Sequence, residues 1–368
     1  MRRRRFELIL DLTSTCNIRC IMCYFSTTDT LRFKPYDLES GANGSMDLAV
    51  GRHIASELFP RAHTIGLGCS AEPLLHPELP EILGLCRQYR VPKVWLQTNL
   101  LALSEAKARA IVGHGVRTVA VSIDGTTKET YERVRVGASW DRLHSRLDLL
   151  RRTANADSLP GPELRVTFAW MRSNRGELRS LPAFASSLGA REIDVRFVVP
   201  TVGVDNRDEV LDQIESSELM DELWAVARDA TSRGIRLSAY PAMVEMIDAN
   251  RTLAGRIWHK LWLFESGLED MATWRRTILE RFNGCSFPGR LYLIRPNGAV
   301  LPCPFWDQEP IALLPRDGHR EIAQTDALRR IRSGLRNGCP IGSCRTCEGR
   351  KDALFRLPTR LAEGPANR

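Results

Sequence analysis

Long apolar runs are missing from this 368-residue chain. No stretch approaches the ~18 consecutive apolar residues of a bilayer-crossing helix, so no membrane association is expected. Lysine is scarce, at six of the 52 basic residues. Arginine therefore carries the net charge of +8, and it is spread along the chain, as on a solvated basic surface. No basic-aromatic motif of a nucleic-acid module is present, and no nucleic-acid partner is expected. The opening MRRRRFELILDL lacks an export signal: its apolar segment is short, carries Glu7 and Asp11, and precedes no small-residue cleavage site. A cytoplasmic location is the expectation. Histidine is absent around Cys16, Cys20 and Cys23, the nearest being His53, so a mixed Cys/His zinc site is a poor fit there.

Cysteine, by contrast, is plentiful, with ten residues. Eight fall into groups at 16, 20 and 23 and at 285, 303, 339, 344 and 347. Clustered cysteines in a chain without an export signal point to metal binding or catalysis rather than disulfides. Cys69 and Cys86 stand outside the groups and are expected to be buried, as free cysteines usually are. Cys69 also lies near Glu72, which keeps it a weak candidate for active-site hydrogen donation.

Residues 1–204 alternate short apolar runs with helical patterns. The runs are FELILDL (6–12), TIGLG (64–68), KVWLQT (93–98), RTVAVSI (117–123), LRVTFAW (164–170) and EIDVRFVV (192–199). Ser45, Pro77 and Ser104 mark helix starts between them. Nearly all-apolar strands separated by helices predict a parallel sheet covered by helices, in six units: an α/β fold, a partial (β/α)6 barrel. Such barrels place chemistry at the carboxyl ends of their strands, and the first cysteine group follows the first strand. Residues 205–284 read as a helical bridging or lid region: an amphipathic helix over 207–232, a candidate short seventh strand at IRLSAY (235–240), and a helix over 250–282 whose Trp258, Trp262, Phe264 and Trp274 read as packing anchors. Residues 285–350 form a third region, and 351–368 a tail. Asn297-Gly298 between two apolar runs predicts a β-hairpin, and DALRRIRSGLRNG (326–338) a short helix.

CNIRCIMCY (16–24) gives Cys-x3-Cys-x2-Cys followed by an aromatic residue. Three thiolates on one loop suit iron–sulfur ligation with one iron left for another ligand. With its position after the first strand, this motif resembles the radical S-adenosylmethionine (radical SAM) superfamily. SAEPLLHPEL (70–79) is similar to that family's Gly-Gly-Glu-Pro stretch, with Ser70-Ala71 in place of the glycines. QTNL (97–100) resembles its Thr-Asn-Gly, and SIDGTTKETYERVR (122–135) its Ser-x-Asp-Gly…Tyr-x-x-x-Arg. The resemblance implies a 4Fe–4S cluster on Cys16, Cys20 and Cys23, whose open iron is chelated by SAM. It further implies that Glu72 accepts from the SAM ammonium, and that Ser122 and Arg135 hold the carboxylate and ribose region. Tyr24 would lie beside the adenine, with Asn99 and Asn174 also near the cofactor. Singly, Glu72 reads as well as a loop carboxylate, Ser122 as a strand-end cap and Arg135 as a surface charge; the joint pattern carries the resemblance.

The second cysteine group is similar to the C-terminal SPASM region in its shortened one-cluster "twitch" form. That resemblance implies a second, auxiliary 4Fe–4S cluster on Cys285, Cys303, Cys344 and Cys347. Cys339 would replace Cys344, donate hydrogen, or be buried; zinc is the alternative occupant of the group. The implied activity is reductive cleavage of SAM to a 5′-deoxyadenosyl radical and hydrogen abstraction from a small molecule, with carbohydrate-like compounds among the candidates. An auxiliary cluster favours two-electron oxidation. The alternatives are a peptide-modifying enzyme, an epimerase and, lower, a non-catalytic iron–sulfur carrier or sensor. The short segment before Cys16 weighs towards the small molecule. A flavodoxin- or ferredoxin-like reductant is the implied partner.

Overall fold

The computed structural model describes residues 6–23, 44–198, 206–240 and 285–345, apart from positions 212, 215, 286, 305, 307 and 338. Tyr24, Cys347 and the helix expected over 250–282 lie outside the described residues.

One sheet organises the chain. Its strands are β1 (Phe6–Leu10), β2 (Ala62–Leu67), β3 (Lys93–Thr98), β4 (Thr118–Ser122), β5 (Glu163–Trp170), β6 (Glu192–Phe197) and β7 (Arg236–Tyr240). These seven pair in sequence order and in parallel. Three further strands follow: β8 (Leu291–Ile294), β9 (Ala299–Leu301) and β10 (Ala312–Leu313). The parallel array therefore runs one strand past the six-unit expectation, through IRLSAY. The C-terminal hairpin also joins the main sheet, because β8 pairs in parallel with β1. Gly298 turns that hairpin at φ +84°, a backbone state glycine adopts without strain.

Helices fill the connections: α1 (Leu48–Leu58), α2 (Leu79–Gln88), α3 (Glu105–Gly113), α4 (Lys128–Val134), α5 (Trp140–Ala156), α6 (Leu181–Ser187) and α7 (Ser216–Ser232). In the C-terminal region lie α8 (His319–Gln324) and α9 (Asp326–Arg336). Ser104 caps α3 as expected, accepting from the Lys107 amide at 3.3 Å. For α1 the cap is Asp47, not Ser45; Asp47 accepts from the Ala49 amide at 2.7 Å. α5 buries Leu143, Leu147, Leu150 and Ala154, one stripe at helical spacing. The amphipathic helix expected over 207–232 begins later, at Ser216, after a short turn at Arg207–Glu209.

The strands correct a second expectation: they alternate. Ile65, Val119, Val121, Val166, Phe168, Ile193 and Val195 are fully buried on one face, where the helices pack. Each such side chain contributes roughly 1.5–3 kcal/mol of burial free energy. The other face carries Thr64, Gln97, Ser122, Thr167, Asp194 and Ser238. Strand register aligns Ser122, Thr167, Asp194 and Ser238 side by side across four neighbouring strands. Below them Arg165 pairs with Glu192 at 3.0 Å, and Arg236 reaches Glu192 at 3.4 Å. The interior face of the sheet is thus polar. Only Gly66 leaves room there for Trp95: a Cβ at Gly66 would fall 2.1 Å from the indole ring.

Candidate active site

The cysteine loop is pinned from several sides. The Glu72 amide donates to the Thr15 carbonyl at 3.0 Å, and the Ile21 amide to the Val134 carbonyl at 3.0 Å. Arg19–Cys20 forms a two-residue antiparallel ribbon with Arg135–Val136, placing Cys20 opposite Arg135. Arg135 follows α4 directly, so the helix and the ribbon together deliver its guanidinium to the loop. Its Nη1 donates to Cys20 Sγ at 3.7 Å. Asn99 Nδ2 donates to Cys16 Sγ at 3.8 Å and to Asn17 Oδ1 at 2.9 Å. Cys16, Cys20 and Cys23 are all half-buried. Burial pushes the Cys20 thiol up to about 12, and the Arg135 charge opposes the rise. Cys16 is also raised by burial.

Glu72 is buried at 2% exposure at the end of β2. Its Oε1 accepts from Thr98 Oγ1 at 2.5 Å and from the Leu74 amide at 3.0 Å; Oε2 accepts from the Asn99 amide at 2.7 Å. Burial pushes its pKa up, while these donors pull it down. The carboxylate ties the ends of β2 and β3 together, and Oε2 keeps acceptor capacity for one more donor. Gly68, at φ +87°, makes the turn into this loop; a Cβ there would sit 2.8 Å from Pro73. We expect Glu72→Gln to cost about 1–3 kcal/mol in denaturant unfolding, because an amide NH2 must then face one of these donors. Unchanged stability would mean that the three donors find water instead.

Arg135 and Asp124 form a buried ion pair at 2.8 Å, with side chains 8% and 1% exposed. Asp124 Oδ1 also accepts from the Ala169 amide at 2.7 Å. Asn174 spends its carboxamide on backbone: Nδ2 donates to the Asp124 and Ala169 carbonyls at 3.0 and 2.8 Å, and Oδ1 accepts from the Met171 amide at 2.9 Å. It braces the ends of β4 and β5 around Asp124. Ser122 is half-buried and accepts from Gln97 Nε2 at 2.7 Å.

The structure thus brings Cys16, Cys20, Cys23, Glu72, Asn99 and Arg135 to one end of the sheet, with Ser122 and Asn174 beside them. It adds Asp124 and Thr98, which the sequence reading passed over. Asp124 stood inside SIDG, and a carboxylate there, eleven residues before Arg135, was the available signal.

The donor set fits an iron–sulfur cluster: three thiols on one loop, two of them already receiving N–H donors. The Tyr131 hydroxyl and Arg135 Nε are buried without a hydrogen-bond partner among the described residues, next to this loop. Among the described residues, no three Cys, His, Asp or Glu side chains converge tightly enough for a single metal ion. Cluster ligation asks for less convergence, since each thiolate binds a different iron.

In the C-terminal region Cys303 is buried, and Cys285 and Cys344 are half-buried against the main hydrophobic core. Cys339 is exposed, so it is not a buried structural cysteine. Cys86 is buried as expected, but Cys69 is exposed. The reason is position: Cys69 stands in the loop just past the carboxyl end of β2, after the turn at Gly68, rather than on a helix-covered strand.

Comparison with known proteins places this geometry. The radical SAM superfamily pattern matches residues 10–156. The chain is 25% identical over 201 residues to an AdoMet-dependent heme synthase of Methanosarcina barkeri, covering 54% of this chain and 52% of that protein. It is 23% identical over 227 residues to a tungsten-containing aldehyde ferredoxin oxidoreductase cofactor-modifying protein of Pyrococcus furiosus, covering 60% of each. The chain therefore spans only about half of the curated relatives it matches. Among solved structures, Streptococcus suis SuiB bound to S-adenosylmethionine superposes with a TM-score of 0.66 at 13% identity, covering 96% of this chain and 76% of that one. The anSMEcpe structure with bound AdoMet gives 0.61 at 15% identity, covering 89% and 83%. These structural likenesses carry the fold. The cysteine loop and the strand-end residues fall within or beside the segment 10–156, over which this chain is similar to the radical SAM superfamily.

Proposed function

We propose that this protein reductively cleaves SAM and abstracts hydrogen from a polar substrate held against the inner face of its sheet. The observation that carries the substrate side is the row Ser122, Thr167, Asp194 and Ser238, aligned across four strands beside the cysteine loop. Gln97 links it to the SAM side, through Ser122 at 2.7 Å and Thr167 at 3.4 Å. The half-buried hydroxyls of Ser122, Thr167 and Ser238 in one plane suit a ligand rich in hydrogen-bonding groups, such as a polyhydroxylated small molecule.

Cys16, Cys20 and Cys23 would hold a 4Fe–4S cluster, which when bound supplies the electron that splits SAM into methionine and a 5′-deoxyadenosyl radical. Glu72, whose carboxylate three protein donors already orient, would accept from the SAM ammonium in a charge-assisted bond. Arg135, held by Asp124, keeps a positive charge against the Cys20 sulfur. Cys285, Cys303, Cys344 and Cys347 would hold an auxiliary cluster, which would supply an electron-accepting centre suited to a two-electron oxidation. A flavodoxin- or ferredoxin-like protein is the reductant this scheme calls for.

A peptide substrate is the second reading. It is favoured by the fold shared with SuiB bound to precursor peptide SuiA and with anSMEcpe bound to Cp18Cys peptide, at TM-scores of 0.61 in both cases.

Anaerobically reconstituted protein, reduced with dithionite and given SAM, is expected to form 5′-deoxyadenosine. Candidate sugar alcohols and peptides are then scored by how far each accelerates that release. No 5′-deoxyadenosine after reduction would sink the enzymatic reading and favour an iron–sulfur carrier.

A further inference from the structure

The residue that orients Glu72 is itself held by a charged side chain. Pro73–Leu75 forms a short helical turn directly after Glu72, and its middle residue, Leu74, is fully buried. Both backbone polar groups of Leu74 are taken. Its amide donates to Glu72 Oε1 at 3.0 Å, and its carbonyl accepts from the ammonium of Lys107. Lys107 lies in the first turn of α3, the helix that Ser104 caps.

These contacts close a ring. Glu72 also accepts from Thr98 Oγ1 and from the Asn99 amide, at the end of β3. The chain runs on through a turn in which the Leu103 amide donates to the Leu100 carbonyl, enters α3, and returns to the Glu72 loop through Lys107. The connection from β3 to α3 therefore grips that loop twice: at the carboxylate, and at the residue that orients it. The far end of the loop is anchored separately. His76 Nε2 donates to the Met46 carbonyl at 2.9 Å, and its Nδ1 accepts from the Glu78 amide at 3.1 Å.

Lys107 is half-buried. Burial pushes its pKa down, and the Glu72 charge opposes the fall. An ammonium drawn partly out of water needs an acceptor, and a hydrogen bond from a charged donor is stronger than one between neutral groups. The Leu74 carbonyl is that acceptor. Without the amine, the turn loses its tie to α3, and the Leu74 amide that orients Glu72 is free to shift. Glu72 keeps Thr98 and Asn99 as donors, so the loss falls on the direction of the carboxylate more than on the fold.

We propose that Lys107 is a positioning residue for SAM: by holding the Leu74 carbonyl it fixes the turn that aims Glu72 at the SAM ammonium. The inference rests on reading Glu72 as the acceptor of that ammonium. It extends the cofactor site to α3, a helix that contributes none of the site residues named from the sequence.

Two ligands separate aim from fold: SAM, and 5′-methylthioadenosine, which lacks the amino-acid group. Their affinities are measured by equilibrium dialysis on the anaerobically reconstituted, unreduced full-length protein, so no SAM cleavage is needed. Lys107→Met should weaken SAM about tenfold and methylthioadenosine by less than about twofold. Lys107→Arg, which keeps a charged donor, should restore most of the SAM affinity. In a Glu72→Gln background Lys107→Met should add no further loss, because its action runs through that carboxylate. Coupling between a contact and a ligand is reciprocal. Saturating SAM should therefore slow acetylation of Lys107 in the unmodified protein several-fold relative to the exposed Lys128, and methylthioadenosine should not. That readout needs no substitution. Equal losses for both ligands, an additive loss in the Glu72→Gln background, or Lys107 acetylation indifferent to SAM would overturn the positioning role alone. A parent protein that binds SAM no better than methylthioadenosine would overturn the reading of Glu72 itself, and the role of Lys107 with it.

Discussion

Changing Cys16, Cys20 and Cys23 together to alanine should reduce 5′-deoxyadenosine formation to background and leave about four irons per chain after anaerobic reconstitution. Loss of activity follows from removing every thiolate that the first loop offers. The retained iron is the more informative half. Cys285, Cys303 and Cys344 lie in the segment that carries β8, β9 and α9, far along the chain from the first loop, and pack against the same core. Nothing in the triple substitution touches the hairpin turn at Gly298 or the Leu328, Ile331 and Leu335 stripe that seats α9. A second cluster should therefore assemble independently. Iron and acid-labile sulfide in equal amounts, about four of each, would support it and make oxidation the reaction to pursue first. No residual iron would leave a single-cluster enzyme and remove the main support for oxidation. Zinc in place of iron would assign the C-terminal group a structural role.

Much of this site was legible because its residues sit where chain direction and strand order force them. A loop after the first parallel strand must emerge at the same end as the loops after the second, third and fourth, so Cys16, Glu72, Asn99 and Ser122 had to converge. The Asn297-Gly298 turn was equally readable, since glycine at positive φ between two apolar runs leaves few alternatives. What stayed hidden depends on the curl and edge pairing of the sheet. The apolar runs could not reveal that β8 would add to the free edge of β1, because parallel pairing between residues nearly 300 apart leaves no local trace. For the same reason Asp11 read merely as a charge interrupting an apolar segment, and Cys69 as a buried thiol. Arg135 was legible as a site residue, but its partner was not: the pairing with Asp124 needs the turn after β4 and α4 to fold back together.

That pair yields the second large expected effect. Arg135→Met alone should destabilise the apo-protein by about 3–5 kcal/mol, because it leaves the Asp124 carboxylate buried without its counter-charge. The double variant Asp124→Asn/Arg135→Met should regain most of that loss. Asparagine keeps an oxygen for the Ala169 amide and removes the charge, and methionine refills the space. Denaturant unfolding of the parent, both single variants and the double variant gives the coupling energy. If the two single losses simply add, the pair is solvated and contributes little. The double variant also separates structure from chemistry. It restores the fold but leaves Cys20 Sγ without the guanidinium donor that stands 3.7 Å away. A positive donor on a ligating sulfur favours the reduced, more negative cluster, so its removal should lower the midpoint potential of the reconstituted cluster. A lowered potential in a protein of near-parental stability assigns Arg135 a positioning and tuning role towards the cluster. An unchanged potential confines Arg135 to neutralising Asp124, and the charge beside Cys20 would then be a by-product of how α4 is anchored.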